Sequence, residues 1–117
     1  MEVCVADGEY AQKLVALCHS VRVRGDADEQ KLLKNAFSNH YKPYLYYCRR
    51  IGSRNYGVSF GITVAKATMR ITEFALLNED VLQPHSCSAK DYAQCKERIN
   101  ELIGKGVLER TVAKRSR

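Results

Sequence analysis

The chain has 117 residues, 45% of them hydrophobic and 27% charged, which predicts one folded domain and excludes wholesale disorder. No apolar run approaches the ~18 residues that cross a bilayer, so we expect no membrane partner. The N-terminal segment, MEVCVADGEY, is acidic and lacks the basic and apolar regions of a secretory signal. We therefore expect an intracellular protein, cytoplasmic or nuclear.

The formal net charge of +6 is unevenly distributed along the chain. Residues 30–72 contain eight Lys or Arg side chains and no Asp or Glu. A second basic cluster ends the chain, where Arg110, Lys114, Arg115 and Arg117 occur without an acid. This asymmetry favours an anionic partner, nucleic acid first; the alternative is a solvated basic face that has no specific partner.

The first predicted elements are a short strand and two helices. Residues 2–6 predict the strand, and apolar residues at three- and four-residue spacing predict a helix over 8–21 with Asp7 as its N-cap. The second helix is expected to begin at Asp26 or Asp28. Its apolar face is expected to contain Leu32, Leu33, Ala36 and Phe37.

An aromatic and basic stretch, YKPYLYYCRRIGSRNYGVSFGI at residues 41–62, predicts a β-hairpin that spans about 43–65. Residues that favour strands flank the turn-forming sequence GSRN. Alternate residues of a strand share a face, so Leu45, Tyr47 and Ile51, together with Arg49, predict a core face. The partner strand is expected to add Val58, Phe60, Ile62 and Val64 to that face. The outward face is expected to present Tyr44, Tyr46, Cys48 and Arg50 beside the small residues Gly57, Ser59, Gly61 and Thr63.

Two interpretations of this hairpin compete. In one, outward tyrosines stack on bases while neighbouring Arg and Lys side chains neutralise phosphates. In the other, the aromatic residues fill a core beneath a covering helix. The absence of acids favours nucleic-acid binding, and exposed aromatic rings suit unpaired bases, so RNA is favoured over DNA. The predicted nucleic-acid site contains Lys42, Tyr44, Tyr46, Arg49, Arg50, Arg54, Tyr56, Lys66, Arg70, Lys114, Arg115 and Arg117.

The last part of the chain predicts one more helix and a strand. The segment ATMRITEFALL, residues 67–77, fits either a third strand or the start of a helix. Ser88 and Asp91 have capping-box spacing before a helix over 89–103, and VLERTV then predicts a strand. The apolar stripe of that helix contains Tyr92, Cys95, Ile99, Leu102 and Ile103.

These elements predict an α+β fold in which at least three helices pack on a small antiparallel sheet. We expect one domain over residues 1–109 and a basic tail over 110–117. A protein-interaction module, or a subunit of a larger assembly that binds through its helical faces, is the alternative to nucleic-acid binding.

No sequence motif indicates catalysis. The chain has no Gly-rich phosphate loop and no nucleophile elbow, so we expect neither an enzyme nor a cofactor. Its five cysteines are irregularly spaced and are expected to remain free thiols. The zinc candidates are His85, Cys87 and Cys95, completed by Cys48 or His40. Because His-x-Cys is not the usual close pair of zinc ligands, we expect no metal.

Two short segments resemble known nucleic-acid-binding families. RNYGVSF, Arg54–Phe60, resembles a shortened form of the RNA-contacting octamer of RNA-recognition-motif domains. AQCKERINELIGKGVLERT, Ala93–Thr111, resembles the recognition helix and following strand of winged-helix domains, including those at cullin C-termini. The second resemblance implies a winged-helix-like C-terminal part whose helix contacts DNA or a protein partner.

Overall fold

A long antiparallel hairpin organises the fold. The structure is a computed structural model that describes residues 1–51 and 57–111. The helices are α1 (Ala11–His19), α2 (Glu29–Leu33) and α3 (Ala89–Gly104). The strands are β1 (Glu2–Cys4), β2 (Val21–Val23), β3 (Phe37–Ser38), β4 (Tyr44–Ile51), β5 (Val58–Ala65), β6 (Arg70–Asn78), β7 (Gln83–Pro84) and β8 (Leu108–Arg110). Strands β4 and β5 pair along their full lengths, which confirms the predicted hairpin. Its turn, GSRN, lies outside the described residues.

The hairpin lies within a six-stranded sheet in the order β1-β6-β5-β4-β3, and β7 pairs with the end of β6. Strand β1 runs parallel to β6, with Val3 opposite Phe74. The sheet is therefore mixed and larger than the small antiparallel sheet that was predicted. Strands β2 and β8 form a separate two-stranded sheet. The α+β class is confirmed.

One face of the six-stranded sheet forms the hydrophobic core. Side chains of β4, β5 and β6 that point to this face pack against α1 and α3. The predicted alternation in β4 is confirmed, because Leu45, Tyr47 and Ile51 are buried. Within the described residues, no helix is both long enough and apolar enough to cross a membrane.

The helices differ from the prediction mainly at their ends. Helix α1 begins at Ala11 with Tyr10 and not Asp7 at its N-cap, and the chain before it is tied to the sheet region by a hydrogen bond of 3.1 Å from the Ala6 N–H to the His85 carbonyl. Asp28, and not Asp26, caps α2, and its carboxylate accepts from the Lys31 N–H at 2.9 Å.

The predicted cap of α3 is confirmed. Ser88 and Asp91 form a reciprocal capping box with N···O distances of 3.1 and 3.2 Å. Ile99 and Leu102 of the predicted stripe are buried in the core.

Residues 67–77, which fitted either a strand or a helix, contribute a long strand. β6 begins at Arg70 and pairs with β5 on one side and β1 on the other. A bulge at Thr63/Val64 shifts the register near the start of β6. Two strand partners satisfy its backbone groups, and this pairing decides the conformation where periodicity did not.

Candidate nucleic-acid interface

The face of the six-stranded sheet that points away from the helices is the candidate site, and we call it the open face. The strand register shows which side chains are neighbours on this face. Cys48 lies opposite Gly61, and Gly61 lies opposite Ala75. The described hydrophobic cluster beneath α1 and α3 includes none of these three residues. The open face includes Tyr44, Tyr46, Cys48 and Arg50 of β4, Ser59, Gly61 and Thr63 of β5, Glu73, Ala75 and Leu77 of β6, and Glu2 and Cys4 of β1.

Small residues form the middle of the open face. Ser59 and Thr63 are buried although none of the three described helices covers this face, since each is a short side chain of the central strand between larger neighbours. Gly61 between them has no side chain, and an added Cβ would meet only the Tyr47 carbonyl oxygen, at 3.4 Å. The result is a shallow floor with taller side chains at its edge, a shape on which a flat ring can lie.

Three tyrosines stand at one corner of this floor, and we call Tyr41, Tyr44 and Tyr46 the tyrosine cluster. The Tyr41 and Tyr46 rings meet edge to face with centroids 5.6 Å apart, and the Tyr44 and Tyr46 rings are 6.2 Å apart. A backbone hydrogen bond of 3.0 Å from Tyr44 to the Tyr41 carbonyl holds the turn that brings Tyr41 to the strand. Tyr41 is 70% exposed and Tyr44 is 37% exposed. Sequence reasoning did not include Tyr41, although its position before Pro43 placed it next to the strand.

Basic side chains border the tyrosine cluster. Arg70 lies opposite Ala65, which in turn lies opposite Tyr44. Lys66 is close as well, since its backbone donates to the Pro43 carbonyl at 3.0 Å, but its ammonium lies 3.4 Å from Glu29. In the part of the chain that the structure describes, no carboxylate lies within 4.0 Å of Lys42 or Arg70. These two cations are therefore the ones available to an anion.

Arg50, at the other end of the open face, is already paired. Its guanidinium lies 2.7 Å from Glu79 Oε1, and the Ser59 hydroxyl donates to Glu79 Oε2. The Ser59 hydrogen bond, followed by the Arg50 contacts, lowers the pKa of the Glu79 carboxyl below its ordinary value. Residues 30–72 contain no Asp or Glu, but the fold places the Glu79 carboxylate beside Arg50. Arg50 is thus a weaker phosphate contact than the sequence predicted.

Arg49 does not join the open face. It alternates with Arg50 along β4, so it points to the side of Leu45 and Tyr47 and is exposed at the rim of that face. The structure therefore separates the two adjacent arginines that the sequence prediction grouped. Arg54, Tyr56, Lys114, Arg115 and Arg117 of the predicted site lie outside the described residues.

The zinc candidates are not brought together. Cys48 is exposed on the open face, whereas Cys87 and Cys95 are buried in the core on the other side of the sheet. Burial raises the pKa of the Cys87 thiol to about 11 and also raises that of Cys95. His85 Nε2 lies 3.8 Å from Asp91 Oδ2. Among the described residues, no three His, Cys, Asp or Glu side chains are placed to hold a metal ion.

Comparisons with known proteins identify the fold. No protein-family model matches the chain, and no curated protein matches it. The structure is similar to a crystal structure of a DUF1831 family protein from Lactobacillus plantarum, with a TM-score of 0.64. The similarity covers 78% of this chain and 86% of that protein at 10% sequence identity. At this identity the likeness concerns the fold alone.

Both family resemblances of the sequence are wrong. The structural likeness is to a DUF1831 protein, over most of the chain. In place of the winged helix, α2 and α3 are separated by strands β3 to β7, and α3 buries its stripe against the six-stranded sheet. In place of the RNA-recognition octamer, Val58 and Phe60 are buried core residues that no RNA can reach. Short motifs of strand-turn or helix-turn chemistry recur in unrelated folds, which explains both errors.

Proposed function

We propose that this protein binds single-stranded nucleic acid, RNA in preference to DNA, through the open face, and that it is a binding protein without catalytic activity. The observation that carries the proposal is the tyrosine cluster, whose exposed rings stand beside a floor of small residues and two cations that have no carboxylate partner among the described residues. Tyr41 and Tyr44 offer ring faces to bases, and Lys42 and Arg70 offer charge to phosphates.

Stacking and charge neutralisation supply the affinity in this proposal. Base stacking on an aromatic side chain contributes about 1–3 kcal/mol per base in single-strand binding proteins. An ordered duplex hides its base faces, whereas an unpaired strand can place its bases on exposed rings. The Arg50–Glu79 pair at the far end provides no free cation, so the binding site is expected to centre on the tyrosine cluster.

A titration of labelled oligonucleotides tests this proposal. We expect the protein to bind single-stranded RNA more tightly than single-stranded DNA or duplexes, as measured by fluorescence anisotropy at about 50 and about 200 mM salt. The Tyr41→Ala/Tyr44→Ala variant should bind RNA about 10- to 100-fold more weakly, because it removes two stacking platforms. Tyr92→Ala, which changes a tyrosine on α3, is the matched control and should bind as the native protein does.

Two lysine substitutions distinguish RNA binding at a defined site from non-specific electrostatic attraction. Lys42→Gln should reduce RNA affinity and lower the salt slope by about 0.7, the value for one phosphate contact on a single strand. Lys96→Gln makes the same charge change on the exposed side of α3 and should have little effect. Equal losses in the two variants would show diffuse attraction instead of a site, and no binding of any single strand at the lower salt concentration would overturn the proposal.

The second proposal is a subunit of a larger assembly. It is favoured by two exposed apolar side chains, Val81 at 59% and Leu82 at 76%, between β6 and β7. The outer side of α3 could add a protein contact, although its Arg98 is held between Glu97 and Glu101 at 3.6 and 3.5 Å. Light scattering after size exclusion should then give a higher mass for the native chain than for Leu82→Ser. Equal masses would remove the support that Leu82 gives.

A further inference from the structure

A cleft of about 710 Å³ lies between β2 and the start of β6, and Arg70 of its lining also borders the tyrosine cluster. Its walls come from the end of α1, from β2, and from the turn that joins β5 to β6. Ligand pockets in proteins commonly have volumes of roughly 300–1,000 Å³, so the cleft is large enough for a small molecule.

The backbone of β2 presents free hydrogen-bonding groups to this cleft. The Thr111 N–H bonds to the Ser20 carbonyl at 2.8 Å, and the Arg24 N–H bonds to the Val107 carbonyl at 2.9 Å. Residues of an antiparallel strand alternate between its two edges, so Val21 and Val23 direct their N–H and C=O groups away from β8. Both residues line the cleft, and no backbone partner for them occurs within the described ranges. These N–H groups are therefore open to an acceptor from water or from a ligand in the cleft, and the C=O groups of the same residues are open to a donor.

Most of the charged side chains that line the cleft are cations. It includes Arg22, Arg24 and Arg70 but, among the residues described, only one carboxylate, that of Glu109. Glu109 lies 2.8 Å from the Arg22 guanidinium, and Arg24 pairs with Asp26 outside the lining. Arg70 has no carboxylate within 4.0 Å in the described part of the chain. The N–H groups of Val21 and Val23 and this guanidinium are thus donors of the lining residues for which the described part of the chain supplies no backbone or carboxylate partner.

The lining also has an apolar part, which stands beside the polar residues His19 and Thr68. Ile71 and Met69 are partly buried and pack against the core, and Ala27 lies beside them in the lining. Met69 has a φ of +55°, a left-handed conformation that costs a non-glycine residue of order 1 kcal/mol or more. The Met69 N–H donates to the Ala65 carbonyl at 2.7 Å in the turn between β5 and β6, and Met69 both packs against the core and lines the cleft.

We propose that this cleft binds a small organic anion with an apolar body, namely an alkyl or aryl carboxylate. The carboxylate accepts hydrogen bonds from the Arg70 guanidinium and the free N–H groups of Val21 and Val23. The apolar body lies against Met69 and Ile71. This proposal goes beyond nucleic-acid binding, and its test uses a small carboxylate in the absence of RNA because Arg70 borders both surfaces.

Three probe molecules test the charged head and the apolar body of the proposed ligand separately. Octanoate has both head and body, acetate has only the head, and octylammonium has the same body with the opposite charge. In an NMR titration of the ¹⁵N-labelled protein, octanoate should shift the amide signals of Val21, Val23 and Arg70 in a saturable way. Acetate and octylammonium should bind at least about 10-fold more weakly, since each lacks one set of contacts. Equal responses to octanoate and octylammonium, or octanoate shifts confined to other residues, would overturn the proposal.

Two substitutions should act in opposite directions on octanoate affinity. Arg70→Gln should weaken binding about 10-fold because it removes a charge-assisted hydrogen bond, whereas Arg49→Gln outside the cleft should not. Glu109→Gln should strengthen binding by a few-fold because it releases Arg22 and removes the one described carboxylate from the lining, whereas Glu101→Gln on α3 should not. Unchanged affinity in both cleft variants would show that octanoate binds elsewhere.

Discussion

The two faces of the β4–β5–β6 sheet are built from alternating residues of the same three strands, yet they differ in size, polarity and exposure. On the covered face Phe60 stacks on Phe74 with ring centroids 5.9 Å apart, and both are fully buried. One residue further along the same strands, Gly61 and Ala75 form the floor of the open face. The covered face thus has its largest side chains in the middle, and the open face has them at its edge.

This difference separates stability from binding. Burial of large apolar side chains stabilises the fold, so the covered face is expected to resist substitution. The open face contributes little apolar burial and keeps aromatic rings accessible, so its substitutions are expected to change binding and leave stability nearly intact. Each of the following measurements compares the two faces or their parts.

The largest effect is expected for Phe60→Ala. Removal of this buried ring should lower the free energy of unfolding by about 3–5 kcal/mol, through lost apolar burial and a cavity beside Phe74. Urea unfolding monitored by circular dichroism measures the change. Tyr44→Ala on the open face is the control and should cost less than about 1 kcal/mol. Similar losses in the two variants would contradict the proposed division between the faces.

The helix that covers the sheet should respond next. Ile99 is fully buried on α3, so Ile99→Ala should cost about 2–5 kcal/mol by the same measurement. Asn100 is the exposed neighbour on the same helix, and Asn100→Ala should change stability by less than about 0.5 kcal/mol. A negligible cost at Ile99 would mean that α3 contributes little to the core.

Thiol labelling should distinguish the faces without any substitution. Cys48 is exposed on the open face and should react quickly with a disulfide reagent in the native protein, whereas the buried Cys18 and Cys95 should react only after unfolding. Burial raises the pKa of Cys87 to about 11, so about one molecule in a thousand carries its thiolate at a pH near 8. Cys87 is also buried, so its labelling should require opening of the fold, and its raised pKa should slow the reaction further at neutral pH. Mass spectrometry of timed samples identifies the order, and early labelling of Cys87 at neutral pH would contradict the described packing.

The smallest effect is expected for the pKa of Glu79, at the end of the open face that contains Arg50 and Ser59. Ser59→Ala should raise the pKa of Glu79 toward its ordinary value, because the Ser59 hydrogen bond is the main cause of the lowered value. A lowered carboxyl pKa in the folded state stabilises the protein above the pKa of the unfolded state, and this contribution is lost as the pH falls through the folded pKa. An NMR titration of the Glu79 carboxyl carbon measures the shift. An unchanged pKa in Ser59→Ala would assign the lowered value to Arg50 instead.

Local features of the structure could be predicted from the sequence. Alternation of apolar residues identified the β4–β5 hairpin and its buried face, because a strand directs successive side chains to opposite sides whatever its partners are. The Ser88–Asp91 capping box and the apolar stripe of α3 could also be predicted, because both follow from residues three or four positions apart in the sequence. The outward positions of Tyr44 and Tyr46 followed from the same alternation.

Contacts between distant segments were decided only by the tertiary structure. Within residues 67–77, the part from Arg70 onward is a strand because β5 pairs with it on one side and β1 pairs with Glu73–Ala75 on the other, and β1 runs parallel to it. Glu79 meets Arg50 across 29 positions of the chain, so an acid-free stretch of sequence did not give an acid-free surface. The cleft beside β2 likewise arises where a strand paired with β8 leaves its other edge open toward β6. Side-chain direction is a local property of the backbone, whereas strand partners and charge neighbours depend on how the whole chain packs, and a single sequence records only the first directly.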